Sequence, residues 1–455
     1  MNKIFQIIEK IFVVLICAFG IYEAVVAVPQ IIQLPKYHWD INIIKGSVVE
    51  SGPHAALLAI AAALLGAFLF ENWKKIKSIV LKIVLIIILA VYLIGILISL
   101  SRASMFGLFV AFVVLLLQKQ SVKDWIHANK KKFYAILGVI VVLAAGIFFL
   151  KKDSAIGRFH IWDMQIRAIA SHPLLGNGTD SYIASYCREQ ANYFKAGGRS
   201  PIRIRVAGCL PVKVNDYLGL GVEHGIFAML AFIAIIYFGI KRLLRKKSLL
   251  AYGLIVWGVF AIFSFPLAVK PLCIILLALL FAAYLPCCCG KKMIWEIILL
   301  AVVMSLSIYK TIPAIEERPS PYRSYYKKAH DLQAQRHYKE SNALIKEGGK
   351  YCKAPEFHIL AAQNYEKLRQ YDMAEKEYLQ AHYIVPCRIE PMLSLMKMYQ
   401  KTGRKDDAIR IGEEISGMWV NPNNAIMCFM YREARMLLAE LKGTPIKRPQ
   451  KVSGN

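Results

Sequence analysis

Two arginines and a short run of titratable side chains are the residues best suited to chemistry. Arg102 lies in Ser99-Leu100-Ser101-Arg102-Ala103, at the end of one apolar run, and Arg158 opens a long polar segment just after another. A guanidinium is planar, stays protonated, and matches phosphate oxygens with two parallel hydrogen bonds. Two of them at one membrane depth would clamp a diphosphate. Arg167 lies nine residues beyond Arg158. On a helix that is near the opposite face, so it ranks as a supporting residue. Further on, Asn215-Asp216-Tyr217 and Glu223-His224-Gly225 lead into the next apolar run. A hydroxyl nucleophile needs a general base within hydrogen-bond reach, and Asp216, Glu223 and His224 are the candidates. Asn215 and His172 would support them. Each of these residues also has a plainer reading, as a solvated side chain where an amphipathic helix begins. His172-Pro173-Leu174-Leu175-Gly176-Asn177-Gly178 reads as a helix stop followed by a turn, its glycines serving conformation.

The elements that must position these residues are hydrophobic helices. Hydrophobic residues make up 57% of the 455, against about 45–50% in soluble domains. Runs long enough to cross a bilayer, about 20 residues, lie near 6–28, 53–70, 79–99, 103–118, 133–150, 223–240, 249–266, 269–286 and 293–310. The expected fold is therefore all-α, a polytopic bundle of about nine spans. Its parts are N-terminal spans over 1–150, a polar segment over 151–222 and C-terminal spans over 223–310.

The net charge of +27 sits in the short loops, the polar segment and the tail. Lys74, Lys75 and Lys77, then Lys119, Lys123 and Lys130 to Lys132, then Lys241, Arg242, Arg245, Lys246 and Lys247, then Lys291 and Lys292 follow alternate spans. All fall on one side if the N-terminus is cytoplasmic, which puts 151–222 and everything after 311 outside. The first span has no small-residue cleavage site and reads as a retained anchor. No basic helix, finger spacing or aromatic RNA motif suggests nucleic acid. The cysteines show no zinc spacing, and no carboxylate cluster implies a metal. Cys187 and Cys209 share the polar segment. They are a disulfide or two free thiols.

Beyond Pro313–Pro321 the tail turns charged and aromatic, with a repeat of about 34 residues. Tyr365 recurs as Tyr399 and Ala374 as Ala408, and Tyr371, Ala374, Tyr378, Ala381 and Pro386 fit the tetratricopeptide pattern. An α-solenoid over 322–442 is expected, with a weaker copy around Tyr338 and Ser341, a capping helix near 424–441 and a tail over 443–455. Such a stack offers a concave face to a protein partner.

The run GRFHIWDMQIRAIASHPLLGNGTDSY (157–182), NDYLGLGVEHGIF (215–227), the Ser101-Arg102 turn and the Ser264-Phe265-Pro266-Leu267 turn together resemble the O-antigen ligase/polymerase superfamily, with a weaker likeness at GSVVESGPHAALLA (46–59). The resemblance covers roughly 40–310, and members with a tetratricopeptide tail are familiar. It implies a bacterial inner-membrane enzyme that moves a glycan from undecaprenyl diphosphate on the periplasmic face. The acceptor would be lipid A-core, another lipid-linked repeat unit or a protein. The reaction would need no metal or cofactor. The family's diphosphate-holding arginines fall on Arg102 and Arg158. One departure stands out: the family's His-Asn pair, separated by nine residues from a following glycine, is Val214-Asn215 here, with Gly225 in place. Valine cannot accept a proton, so Asp216, Glu223 or His224 would have to substitute. Nine spans are also fewer than the roughly twelve of larger members. Arg188, Lys195, Arg199, Arg203, Arg205 and Lys213 would draw an anionic glycan or lipid headgroup. The rival expectations are a non-catalytic scaffold that anchors the repeat domain, and a protein O-oligosaccharyltransferase relative. A transporter would show more polar or broken spans than this chain does.

Overall fold

The computed structural model describes residues 3–37, 40, 43–48, 50–135, 138, 152–198, 200–209, 213–285 and 321–443. Among them every regular element is helical. The chain divides into two compact units. One comprises Met1–Leu150, Val212–Gly221 and Ile226–Arg318; the other comprises Lys151–Pro211, Val222–Gly225 and Pro319–Asn455.

The first unit is built around α2 (Ser51–Asn72), which packs against α1 (Lys3–Ile32), α3 (Ile79–Ile98), α4 (Arg102–Leu117) and a helix numbered below as α10 (Leu250–Phe263). A helix that is apolar all round has no solvated face to offer and is stable only inside protein or lipid. The burial sorts these cases. Of the apolar window in α2, 83% is covered by protein, against 22% in α1 and 11% in α3. The run Ala55–Ala67 explains the central place of α2: its alanines let neighbouring backbones approach closely.

Four described helices are long and apolar enough to cross a membrane: Phe5–Ile32, Ser51–Asn72, Ile79–Ile98 and α9 (Asp216–Arg245). The α4 helix with α5 (Gln120–Ala128), bent by 87°, would make a fifth. The expected spans at 249–266 and 269–286 are shorter apolar helices, α10 and α11 (Lys270–Tyr284). Those at 133–150, beyond its first residues, and at 293–310 lie outside the described residues. So do Arg199, Cys287 to Cys289 and the tail past 443.

Buried and half-buried polar side chains close the helix ends of this unit. Lys246 Nζ donates to the carbonyls of Ala282, Ala283 and Leu285 at 3.0–3.1 Å. It thereby satisfies the orphan acceptors where α11 stops. Glu9 accepts from Leu249 N and Ser248 Oγ, both at 2.7 Å, and so caps the start of α10 from a distant helix.

The second unit joins the polar segment to the tail, two stretches that read as separate domains in sequence. Its first part is α6 (Lys152–Ser171), α7 (Tyr182–Lys195) and α8 (Pro201–Val206). Gln190 Nε2 on α7 donates to Ile384 O at 2.5 Å, at the end of α15 (Tyr371–Ile384). The tail helices are α12 (Pro321–Ala334), α13 (Tyr338–Gly348), α14 (Pro355–Lys367), α15, α16 (Ile389–Lys401), α17 (Lys405–Ser416) and α18 (Ala425–Lys442). They pack as consecutive hairpins, with α18 covering α16 and α17. The first helices start at Pro321, Pro355 and Ile389, steps of 34 residues. Ala374, Ala381 and Ala408 have no exposed surface, and Tyr378 and Tyr399 keep 1%. The recurring small and aromatic positions therefore form the interior where the helices cross.

Candidate functional site

The expected site residues fall in both units. In the first, Arg102 is the opening residue of α4 and is half-buried. The turn before it runs through Leu100 with φ +48°, a left-handed backbone. Ser101 Oγ and Ser104 Oγ share a 2.9 Å hydrogen bond, and Ser104 Oγ reaches Gly52 O at 3.5 Å. The Arg102 turn is thus held against the start of α2. Asn215 caps α9, its Oδ1 accepting from Leu218 N at 3.0 Å. Asp216 is 2% exposed and its Oδ2 accepts from Leu267 N at 2.7 Å. This carboxylate therefore anchors the 264–268 turn, the same turn that was conspicuous in the sequence.

A polar cluster that the sequence did not reveal lies in the same unit. Glu23, in α1, has no exposed surface. Its carboxylate accepts from Ser47 N at 3.0 Å, bonds to Ser47 Oγ, and faces His54 Nδ1 of α2 at 3.0 Å. Gln30 holds the backbone of Lys45 and Gly46 beside it. In sequence Glu23 only interrupts a span. Its partners lie 24 and 31 residues away.

In the second unit Arg158 and Arg167 both lie on α6. Arg158 is half-buried. Arg167 is exposed and directed at Asp163, Nε to Oδ1 at 3.1 Å. Asp163 also receives Arg203 Nη1 at 2.5 Å. Burial pushes the Asp163 carboxyl up, but the two guanidinium bonds outweigh it and hold it below the usual carboxylate range. Both arginines also lie over the Tyr193 ring, at 5.5 and 5.0 Å. Arg203 therefore braces α8 against α6, while Arg167 ties α6 to Tyr193 of α7. His160 is buried, and burial pulls its imidazole below its ordinary pKa despite the 2.9 Å bond to Gln190 Oε1.

The turn after α6 is fixed on the backbone of the Glu223-His224-Gly225 stretch. Asn177 N donates to Val222 O at 2.8 Å and Gly178 N to Glu223 O at 3.0 Å. Asn177 Nδ2 reaches Ala168 O and Val222 O, both at 3.0 Å, while Arg188 Nη2 donates to Asn177 Oδ1 at 2.8 Å. Gly225 takes φ +85° and ψ 173°, breaking the helix there. A Cβ at Gly225 would collide with the Leu174 carbonyl, and one at Gly176 (φ +72°) with the Glu223 backbone. Gly176 and Gly225 thus face each other's chains. Glu223 is 2% exposed and lies 3.8 Å from His224 Nε2, too far for a hydrogen bond. Glu223 also lies near Tyr182, whose phenol is lifted well above its ordinary pKa by burial first, with the Cys187 and Glu223 charges adding. His172 is exposed, its Nδ1 3.1 Å from Ser171 Oγ.

Asn177 and Arg188 are the positions that sequence reasoning undervalued. An asparagine between two glycines was the available signal, because its amide can bond neighbouring backbone while the glycines supply positive φ. The described residues include no group of three or more metal-ligating side chains.

An all-helical chain with at least four helices apolar and long enough to cross a bilayer is a multi-pass membrane protein in its architecture. Residues 87–233 match the family model described as O-antigen ligase, which supports the O-antigen ligase superfamily and a glycan-transferring membrane enzyme. That stretch includes Arg102, Arg158, the 172–178 turn and Glu223-His224-Gly225. No curated protein and no solved structure matches the chain.

Proposed function

We propose that this protein transfers a glycan from a polyprenyl-diphosphate carrier to an acceptor on the periplasmic face of the bacterial inner membrane. The observation that carries the reading is the ligase-family match over 87–233, within which the 172–178 turn is hydrogen-bonded to Val222 and Glu223. Arg102 and Arg158 are assigned to the diphosphate, where guanidinium charge would stabilise the leaving group as the anomeric bond breaks. The acceptor hydroxyl forms the new bond, and its proton goes to a base. Of the three candidates, Asp216 is committed to Leu267 N. Glu223 and His224 are preferred for their place, beside the glycine break at Gly225 and the 172–178 turn bonded to the Val222 and Glu223 backbone. Val214 leaves the family's histidine position without a base. The tail, with hairpins recurring at 34 residues, is read as a periplasmic tetratricopeptide-like stack that recruits an acceptor or partner protein.

Deleting the gene and profiling surface glycans on gels tests the proposal. A lost ladder on lipid A-core identifies a ligase, a single remaining repeat unit a polymerase, and altered glycoproteins with intact polysaccharide a protein-directed transferase. Unchanged glycans throughout would favour the scaffold.

A further inference from the structure

A cleft of about 930 Å³ opens within the second unit, between the turn after α6, α7 and the tail hairpins α13 to α15. Arg188, Lys339, Lys346, Lys350 and Lys353 line it, and the sole acidic lining residue is Glu377, whose Oε2 is bonded to His358 Nδ1 at 2.6 Å. Four lysines, and Arg188 paired with Glu189 at 3.0 Å, thus meet one lining carboxylate that already has a partner. Among the described residues none of the four lysines forms an ion pair. Lys339 and Lys346, seven residues apart, lie on one face of α13, and Lys350 follows in the turn after it. Arg188 is positioned by its bonds to Glu189, Asn177 and Ser171. These use three of its five N–H donors and leave Nη1 with no bond among the described residues.

Like charges gathered in a concavity repel one another and raise the local concentration of an anion. The volume lies toward the upper end of the range for small-molecule sites, roughly 300–1,000 Å³. That is far larger than an isolated phosphate needs. The rest of the lining combines hydroxyl and amide groups of Ser181, Ser185, Asn177 and Asn342 with the Tyr365 ring, the mixture suited to a polyhydroxylated chain with apolar ring faces. A bilayer surface would instead select a flat or convex basic face. One wall of the cleft, Gly176 and Asn177, is the segment hydrogen-bonded to Val222 and lying against the Glu223 backbone. An occupant would therefore lie beside the turn that is bonded to the Val222 and Glu223 backbone.

We propose that this cleft binds an acidic oligosaccharide, a sugar chain carrying carboxylate or phosphate substituents, and holds it beside the 172–178 turn. The proposal rests on the glycan-handling function argued above and specifies the chemical class of glycan. Recognition is electrostatic at the lysines and directional at Arg188, whose Nη1 offers its N–H donors to a carboxylate or phosphate oxygen.

The test is binding to the purified full-length protein in detergent, with short oligogalacturonate as the probe. Length-matched maltooligosaccharide, inorganic phosphate and phosphatidylglycerol vesicles are compared with it. Oligogalacturonate is expected to bind and the neutral chain is not. The Lys346→Glu, Lys350→Glu double variant changes two exposed side chains and should keep the wild-type melting temperature while binding at least about tenfold more weakly. Arg188→Gln, which retains hydrogen-bonding capacity, should weaken binding less. Equal binding of acidic and neutral chains would overturn the proposal. So would binding that the charge reversals leave intact, or a preference for vesicles or phosphate alone. No turnover is needed. Acidic-chain binding together with unchanged glycans in the deletion strain would therefore uphold the cleft and reject the transferase, and the converse pair of results would do the opposite.

Discussion

Replacing Gly225 with alanine should damage the second unit more than replacing Gly178, although both glycines have positive φ. At Gly225 the backbone sits at φ +85°, ψ 173°, a region essentially closed to other residues and costing them about 1–3 kcal/mol. The added Cβ would also land on the Leu174 carbonyl. Backbone cannot rotate away as a side chain can, so the 174–178 turn must lift from Val222 and Glu223. That would break the bonds at Asn177 N and Gly178 N, each contributing about 0.5–1.5 kcal/mol. The total is about 2–6 kcal/mol. At Gly178 the φ is +98° and no heavy atom lies within 4 Å of a built Cβ, so only backbone strain of about 1–2 kcal/mol applies. Leu174 and Leu175 are 63% and 86% exposed, which makes the turn a ready target once released. Limited proteolysis of the purified protein, read by mass spectrometry, should show cleavage there several-fold faster in Gly225→Ala than in Gly178→Ala, with a lower melting temperature. Equal cleavage in the two variants would refute the reasoning.

Other outcomes follow from the same unit. The Cys187 and Cys209 sulfurs lie 2.9 Å apart. If the segment faces an oxidising compartment they should form a disulfide closing a loop of 22 residues, worth about 3 kcal/mol. Alkylation before and after reduction checks this, and full alkylation without reductant would count against the outward placement of 151–222. Burial depresses His382 to a pKa of about 4. A histidine held neutral contributes its full stability above the ordinary pKa near 6.5, and loses it as pH falls toward 4, because the unfolded chain takes up the proton first. The drop in melting temperature between pH 7 and pH 4.5 should therefore be smaller in His382→Leu than in wild type. An unchanged pH profile would contradict the buried neutral imidazole.

What could be read in the sequence was local or translational. The 34-residue recurrence in the tail predicts hairpins because each copy packs on its neighbour in the same way, and Ala374 and Ala408 both emerge wholly buried. The apolar runs predict helices, but hydropathy does not say whether lipid or protein covers them. The apolar window of α2 is mostly enclosed by other helices and that of α3 is mostly not. The run at 249–266 is a 14-residue helix with Trp257 and Leu254 fully buried. Side chains whose partners lie far along the chain were illegible. Nothing near Glu23 in sequence points to His54, and nothing near Asp163 points to Arg203, 40 residues on. The candidate site was legible as motif glycines and arginines. What those motifs could not give was the division of labour, with Asp216 anchoring a turn and Arg167 bracing a helix.

The account turns on guanidinium groups acting at a lipid-linked diphosphate. The most direct measurement uses the purified protein with a polyprenyl-diphosphate-linked glycan and an acceptor, and follows release of the free polyprenyl diphosphate. Wild type should turn over, and Arg158→Ala should be slower by about 10²–10³-fold, at normal protein level and melting temperature, with Arg158→Lys intermediate. Release at the wild-type rate by Arg158→Ala would contradict the account.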